Sequence, residues 1–268
     1  MKRHAINALA LAAVVLTGAP QAASQMKVDL GKETAGKPPT TFEPIVGTWI
    51  VGSDAGEKVI MLDGRPWVAS KDNPTRLLVG SARKLYGTSN EELMDNAKQF
   101  AYYPVALLKS VDSFSNGSIS VKFKTVGGDA DRASGILFNV KPNGDWLAFR
   151  YNDTEHNVAF WEFHNGVRRS IARGPEGAVL AAPGDREKYH ELRLDIDGAN
   201  LTGYVDGVSV LTHVLGSQPR PRRDGTPPNP DLFAANNPVL RPPVAGRIGL
   251  WSKTDSSSYF KDYVVSAK

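Results

Sequence analysis

Arg150, Asn152, Glu162 and His164 are the side chains whose types and spacing could do chemistry on a small polar ligand. A guanidinium, a carboxamide and a carboxylate are planar groups that reach two neighbouring hydroxyls at once. Trp146 or Trp251 would add a flat apolar plate for the C–H face of a ring. That mixture is what a sugar needs. Glu162 and His164 are also candidates for acid and base, since a histidine titrates near neutral pH. The plainer alternative is that Arg150 and Glu162 pair across strands on a solvated surface.

The elements that must position these residues lie between Gly135 and Ile171, which reads as three consecutive antiparallel strands joined by two tight turns. From Trp146 the side chains alternate, with Leu147, Phe149 and Tyr151 on one face and Trp146, Ala148, Arg150 and Asn152 on the other. The return strand, Val158 to His164, groups Ala159, Trp161 and Phe163 and sets Glu162 and His164 opposite. The turns Pro142-Asn143-Gly144 and Asn165-Gly166 supply the positive φ angles that hairpins need. If the strands pair so, Arg150, Asn152, Glu162 and His164 share a face with Trp146 or Trp251, the latter the better plate.

Other strands are expected over 118–125, with Ile119, Val121 and Phe123 inward, and in the hairpin 189–205, with Leu192, Leu194, Ile196, Leu201 and Val205 inward. A last pair near 246–265 puts Ile248 and Leu250 in the core and Trp251 on the opposite face. Ser89-Asn90-Glu91-Glu92 is a capping-box pattern and predicts one short surface helix near 90–98. About a dozen short strands with close-spaced turns argue for two packed antiparallel sheets.

The opening Met1-Lys2-Arg3, the apolar run Ala5 to Leu16 and the small residues to Ser24 have the order of a secretory signal. The expected organisation is a signal over 1–24, a leader or linker over 25–44, and one β-sandwich over 45–268 that a chain of 268 residues can build. Leu215 to Ala245 holds eight prolines and interrupts the sandwich as a long loop. Without cysteine the chain has neither a lipid anchor nor disulfides. A soluble periplasmic or secreted protein is expected, with no membrane anchor.

Several functions are excluded or disfavoured. Removing residues 1–24 takes away Lys2 and Arg3 and no acid, so the net charge falls from +4 to +2, and no basic stripe suggests nucleic-acid binding. His156 and His164 have no carboxylate at ligand spacing, which argues against a transition metal. Asp129 and Asp131 beside Gly127-Gly128 could offer oxygens to Ca2+, although an ordinary turn is the simpler reading. The sequons at Asn116, Asn152 and Asn200 matter only on a eukaryotic route. There is no phosphate loop, serine elbow or reactive cysteine.

The chain resembles the concanavalin A-like jelly roll of laminin-G and laminarinase type. More narrowly it resembles the secreted 3-keto-disaccharide hydrolase or glucanase-like domains of unknown function. The residues that carry this are Gly135-Ile136-Leu137-Phe138, then Arg150, Asn152, Glu155, Asn157, Asn165-Gly166 and Arg168. Gly246 to Asp255 and Tyr259-Phe260 add to them. The resemblance covers most of 45–265 and implies an all-β two-sheet sandwich with Glu155, Asn157, Arg168, Lys253 and Asp255 joining the ligand-binding set. Two departures matter. Lys261 stands before Asp262 where related sequences have two acids, which weakens a calcium role, and the proline-rich loop is longer than usual. The laminarinase pattern E-x-D-x-x-E is also absent, which leaves a retaining mechanism unsupported. The function expected is an exported carbohydrate-binding sandwich. The alternatives are a hydrolase or lyase acting on a sugar derivative and a non-catalytic adhesion or scaffold module.

Overall fold

The computed structural model describes residues 24–68, 102–174, 188–219 and 225–268. The strands run in chain order β1 (Ser24–Lys27), β2 (Phe42–Val46), β3 (Thr48–Asp54), β4 (Glu57–Asp63) and β5 (Val105–Leu108). The long β6 (Gly117–Gly127) is followed by β7 (Ala133–Val140), β8 (Trp146–Asn152), β9 (Asn157–His164) and β10 (Val167–Arg173). The set closes with β11 (His190–Asp197), β12 (Asn200–Val205), β13 (Val208–Val214), β14 (Arg247–Ser252) and β15 (Ser257–Ala267). They form two antiparallel sheets. Sheet A has the order β13-β12-β11-β6-β15-β4-β3, with β1 on β15, and sheet B has the order β10-β9-β8-β7-β14-β5-β2.

The two sheets differ in what covers them. In β6 the inward Ile119, Val121 and Phe123 are buried while Lys122 and Lys124 between them are partly exposed, the pattern of a sheet with one wet face. In β7, β8 and β9 every residue is buried, so these strands of sheet B are covered on both sides, whereas β10 at its edge has no buried residue. The inner face of sheet B carries Phe138, Leu147, Phe149, Phe160 and Leu250, which meet Phe123, Leu192, Leu194 and Phe260 of sheet A in the main core. Each such buried side chain stabilises the fold by about 1.5–3 kcal/mol relative to exposure. Its outer face carries a second apolar cluster that includes Trp146, Trp161, Phe163 and Trp251.

Gly135 to Ile171 forms four strands, not three. The additional reversal, Asp153 to His156, contains neither glycine nor proline. Instead the Asn152 side-chain oxygen accepts the Thr154 and Glu155 amides at 2.9 and 3.0 Å, an Asx turn, and His156 takes a positive φ of 51°. At the next reversal Asn165 and Gly166 have φ of 49° and 79°, the primed turn that Asn-Gly favours.

Residues 25–44 are not merely a leader, because β1 pairs with the end of β15 and β2 forms the edge of sheet B. Within the proline-rich segment, 3-10 turns at Pro230–Leu232 and Pro238–Leu240 are capped by Asn229 and Asn237. The helix expected near 90–98 lies outside the described residues. Among the described residues no helix is long and apolar enough to cross a membrane.

Candidate functional site

The outer face of sheet B is set by register. Asn152 stands opposite Asn157 across the four-residue turn, so Arg150 faces Ala159, Ala148 faces Trp161 and Trp146 faces Phe163. Trp161 and Phe163 therefore share the face of Arg150, whereas Glu162 stands opposite Leu147 on the inner side. On the other flank Gly135 pairs with both Arg150 and Trp251. A side chain at 135 would strike the Phe149 carbonyl at 2.7 Å and Trp251 Cε3 at 3.1 Å, so glycine is what lets the indole lie against the sheet. Beyond β9, β10 skips a partner between Ser170 and Ala172. This bulge brings Arg173 opposite Ala159 and onto the face that Arg168, opposite Phe163, already occupies.

The aromatic rings form one continuous group. Tyr103 stacks on Trp251 with centroids 6.0 Å apart and meets Trp146 edge-on at 5.8 Å. Trp146 in turn stacks on Phe163 at 5.1 Å. Trp161 is ringed by cations, with Arg168 at 3.9 Å from its centroid and Arg150 and Arg173 each at 5.3 Å. Arg168 also lies 4.9 Å over Tyr103. Such contacts stabilise by about 0.5–2 kcal/mol each, most where water is excluded.

A polar network borders this group. Arg150 donates to Glu155 Oε2 at 3.0 Å and to Asn157 Oδ1. Lys253 contacts Asp131 at 2.8 Å and Glu155 at 3.3 Å, and Asn152 Nδ2 donates to Asp131 at 2.9 Å. Burial alone would raise the Glu155 carboxyl, but Arg150 and Lys253 outweigh it and bring it down to about 2. Burial lowers Arg150 and Arg168, most in each case, and both remain cationic at neutral pH. Asp255 is turned away from this network: its carboxylate accepts the backbone N–H groups of Asp129, Ala130 and Asp131 at 2.6, 2.9 and 3.0 Å. Those donors hold its carboxyl low against the opposing effect of burial.

Five hydrogen-bond donors on this face have no partner among the described residues: the indole N–H groups of Trp146, Trp161 and Trp251, Arg150 Nε and Arg168 Nη1. A buried donor left unpaired costs about 1–3 kcal/mol. Native folds seldom leave several such groups together without water, an ion or another partner to satisfy them.

No protein-family model matches the chain, and no curated protein matches it. Among solved structures, the carbohydrate binding module CBM66 from Bacillus subtilis aligns over 87% of this chain and 99% of its own, at 15% identity and a TM-score of 0.50. The apo Crh5 transglycosylase aligns over 92% of this chain and 85% of its own, at 14% identity and a TM-score of 0.50. With two antiparallel sheets in hand, these likenesses decide the architecture. The fold is a concanavalin A-like jelly roll.

The jelly roll brings together Arg150, Asn152, Glu155, Asn157, Arg168, Trp251 and Lys253 on or beside the outer face of sheet B. Within that set Asn152 has both ends of its amide engaged in the turn and in Asp131, and Asn157 orients Arg150. Glu162 and His164 are a correction. They lie on the other side of the strand, Glu162 accepting from Arg169 and Asn237 at 3.1 and 3.0 Å and His164 contacting Asp145 at 2.7 Å. Their place on the opposite side of the strand from the aromatic group removes the basis for an acid and base pair acting on a ligand there. The reason is the turn: four residues between Asn152 and Asn157 set even-numbered positions of β8 against odd-numbered positions of β9.

A calcium site does not fit either. Lys253, Asn152 and Thr254 occupy the Asp131 carboxylate, three amides occupy Asp255, and among the described residues no group of three or more His, Cys, Asp or Glu side chains could hold a metal. Sequence reasoning missed Trp161, Arg173 and Tyr103. Counting the turn length would have found Trp161, whereas Arg173 depends on a bulge that leaves no mark in residue alternation.

Proposed function

We propose that this chain is an exported β-sandwich that binds a carbohydrate on the outer face of sheet B. The observation that carries the reading is the set of five unpartnered donors, all of them buried, beside stacked aromatic rings. A sugar offers both of the complements this face lacks, hydroxyl oxygens for the N–H groups and a C–H face for the rings. Arg150 and Trp251 have no exposed surface, so a ligand first meets the more open Glu155, Arg168 and Arg173 beside β10. Export is supported by the signal-like opening of the sequence. The carbohydrate-binding module of like fold is consistent with this use of the architecture.

Glycan-array binding followed by titration calorimetry tests the proposal. Saturable binding is expected, and Trp161→Phe, which removes one free N–H while keeping a ring, should weaken it about fivefold or more. Absence of saturable binding to any glycan would end the carbohydrate reading and leave a scaffold or adhesion role.

A further inference from the structure

Charge on this face is unevenly matched. Arg150 and Lys253 are answered by Glu155 and Asp131. Arg168 and Arg173 have no carboxylate within ion-pair distance among the described residues; what they touch is Trp161, and for Arg168 also Tyr103. Arg168 is half-buried with Nη1 unpartnered, while Arg173 is exposed at the end of β10. The two stand on one face only because of the bulge at Ile171.

A partly desolvated guanidinium without a counterion is costly. Stacking on an indole holds such a group flat and leaves its N–H edge free for a planar or tetrahedral oxyanion. Two of these groups lie against Trp161, a buried ring that Arg168 covers at 3.9 Å and Arg173 approaches at 5.3 Å. Building on the carbohydrate-binding reading, we infer that the ligand is an anionic glycan, its carboxylate or sulfate seated between Arg168 and Arg173.

The test compares matched pairs by titration calorimetry: oligogalacturonate against its methyl ester, glucuronate-bearing oligosaccharides against their methyl esters, and a sulfated galactan oligomer against its desulfated form. The charged member is expected to bind at least about tenfold more tightly, with the advantage shrinking between about 50 and 500 mM salt. Which pair shows the effect separates carboxylate from sulfate. Arg173→Gln, at an exposed position that tolerates substitution, and Arg168→Gln should each lower charged-ligand affinity about tenfold and lower neutral-ligand affinity by clearly less. Equal binding of charged and neutral partners, or binding of neutral glycans alone, would overturn the anionic inference while the carbohydrate reading stood. No binding by any of them on an array would overturn both.

Discussion

The Asn237 side chain donates to the Glu162 carboxylate at 3.0 Å, tying the proline-rich segment to the inner side of β9. Arg169 completes the tie, donating to Glu162 at 3.1 Å and to Asp231 at 2.5 Å. Burial raises the Glu162 carboxyl, and Arg169 and Asn237 offset only part of that effect. This residue is an anchor for residues 226–245. Glu162→Ala, which strands a buried amide and a guanidinium, is expected to cost about 2–3 kcal/mol in urea denaturation and to speed proteolysis of that segment. Glu162→Gln keeps an acceptor for Asn237 and should cost less. Neither should change glycan affinity by more than about twofold, since the site lies across the strand. A large loss of affinity in Glu162→Gln with unchanged stability would return the residue to the binding face.

How much could be read in advance follows from how local each signal is. The inward sets Ile119-Val121-Phe123 and Leu147-Phe149-Tyr151 are alternations within single strands, and they stand in the core as read. Trp251 opposite Leu250 is the same kind of signal and also holds. The face of Glu162 depended instead on register between two strands, which one residue of turn length reverses. The Asp153 to His156 turn escaped notice because an asparagine side chain and a left-handed histidine do the work usually marked by glycine. Arg173 needed the bulge, and the β1 pairing needed a partner strand more than 230 positions away.

Gly135 gives a test of how the plate is seated. Its position between Arg150 and Trp251 admits no side chain without moving the Phe149 carbonyl, 2.7 Å from where a methyl carbon would sit, or the indole at 3.1 Å. Gly135→Ala should therefore destabilise the fold by about 1–3 kcal/mol, alter the near-ultraviolet dichroism of the tryptophans, and weaken glycan binding. Unchanged stability together with unchanged binding would mean that Trp251 can shift freely and is not held in place by the sheet.

Asp255 gives a test of the loop beneath the site. Its carboxylate accepts three consecutive amides from Asp129 to Asp131, which fixes Asp131 against Lys253 and Asn152. Asp255→Ala is expected to lower stability by about 1.5–3 kcal/mol and to weaken glycan binding by displacing Asp131. Calcium at millimolar concentration should leave the wild-type Tm unchanged, since the same oxygens are taken by N–H donors. A calcium-dependent rise in Tm that disappears in Asp255→Ala would show instead that the loop is an ion site.

Glu155 sets the response to acid. Its carboxyl, which burial would raise, is brought to about 2 by Arg150 and Lys253, while in the unfolded chain a glutamate titrates near about 4.3. The folded value is the lower one. Its contribution to stability is thus complete above about pH 4.3 and is lost as pH falls toward about 2. Solvent screening reduces the size of the effect, because the side chain is 34% exposed. Denaturation from about pH 6 to about pH 2 should show this loss in the wild type and a flatter profile in Glu155→Gln. The same variant separates the charge of the site from its shape. Glu155 also acts electrostatically on Arg168, and removing its negative charge lowers the repulsion an acidic ligand meets there, so Glu155→Gln should bind an acidic glycan more tightly than wild type does at neutral pH, with neutral glycans little affected. Weaker binding of the acidic partner would mean that Glu155 itself contacts the ligand.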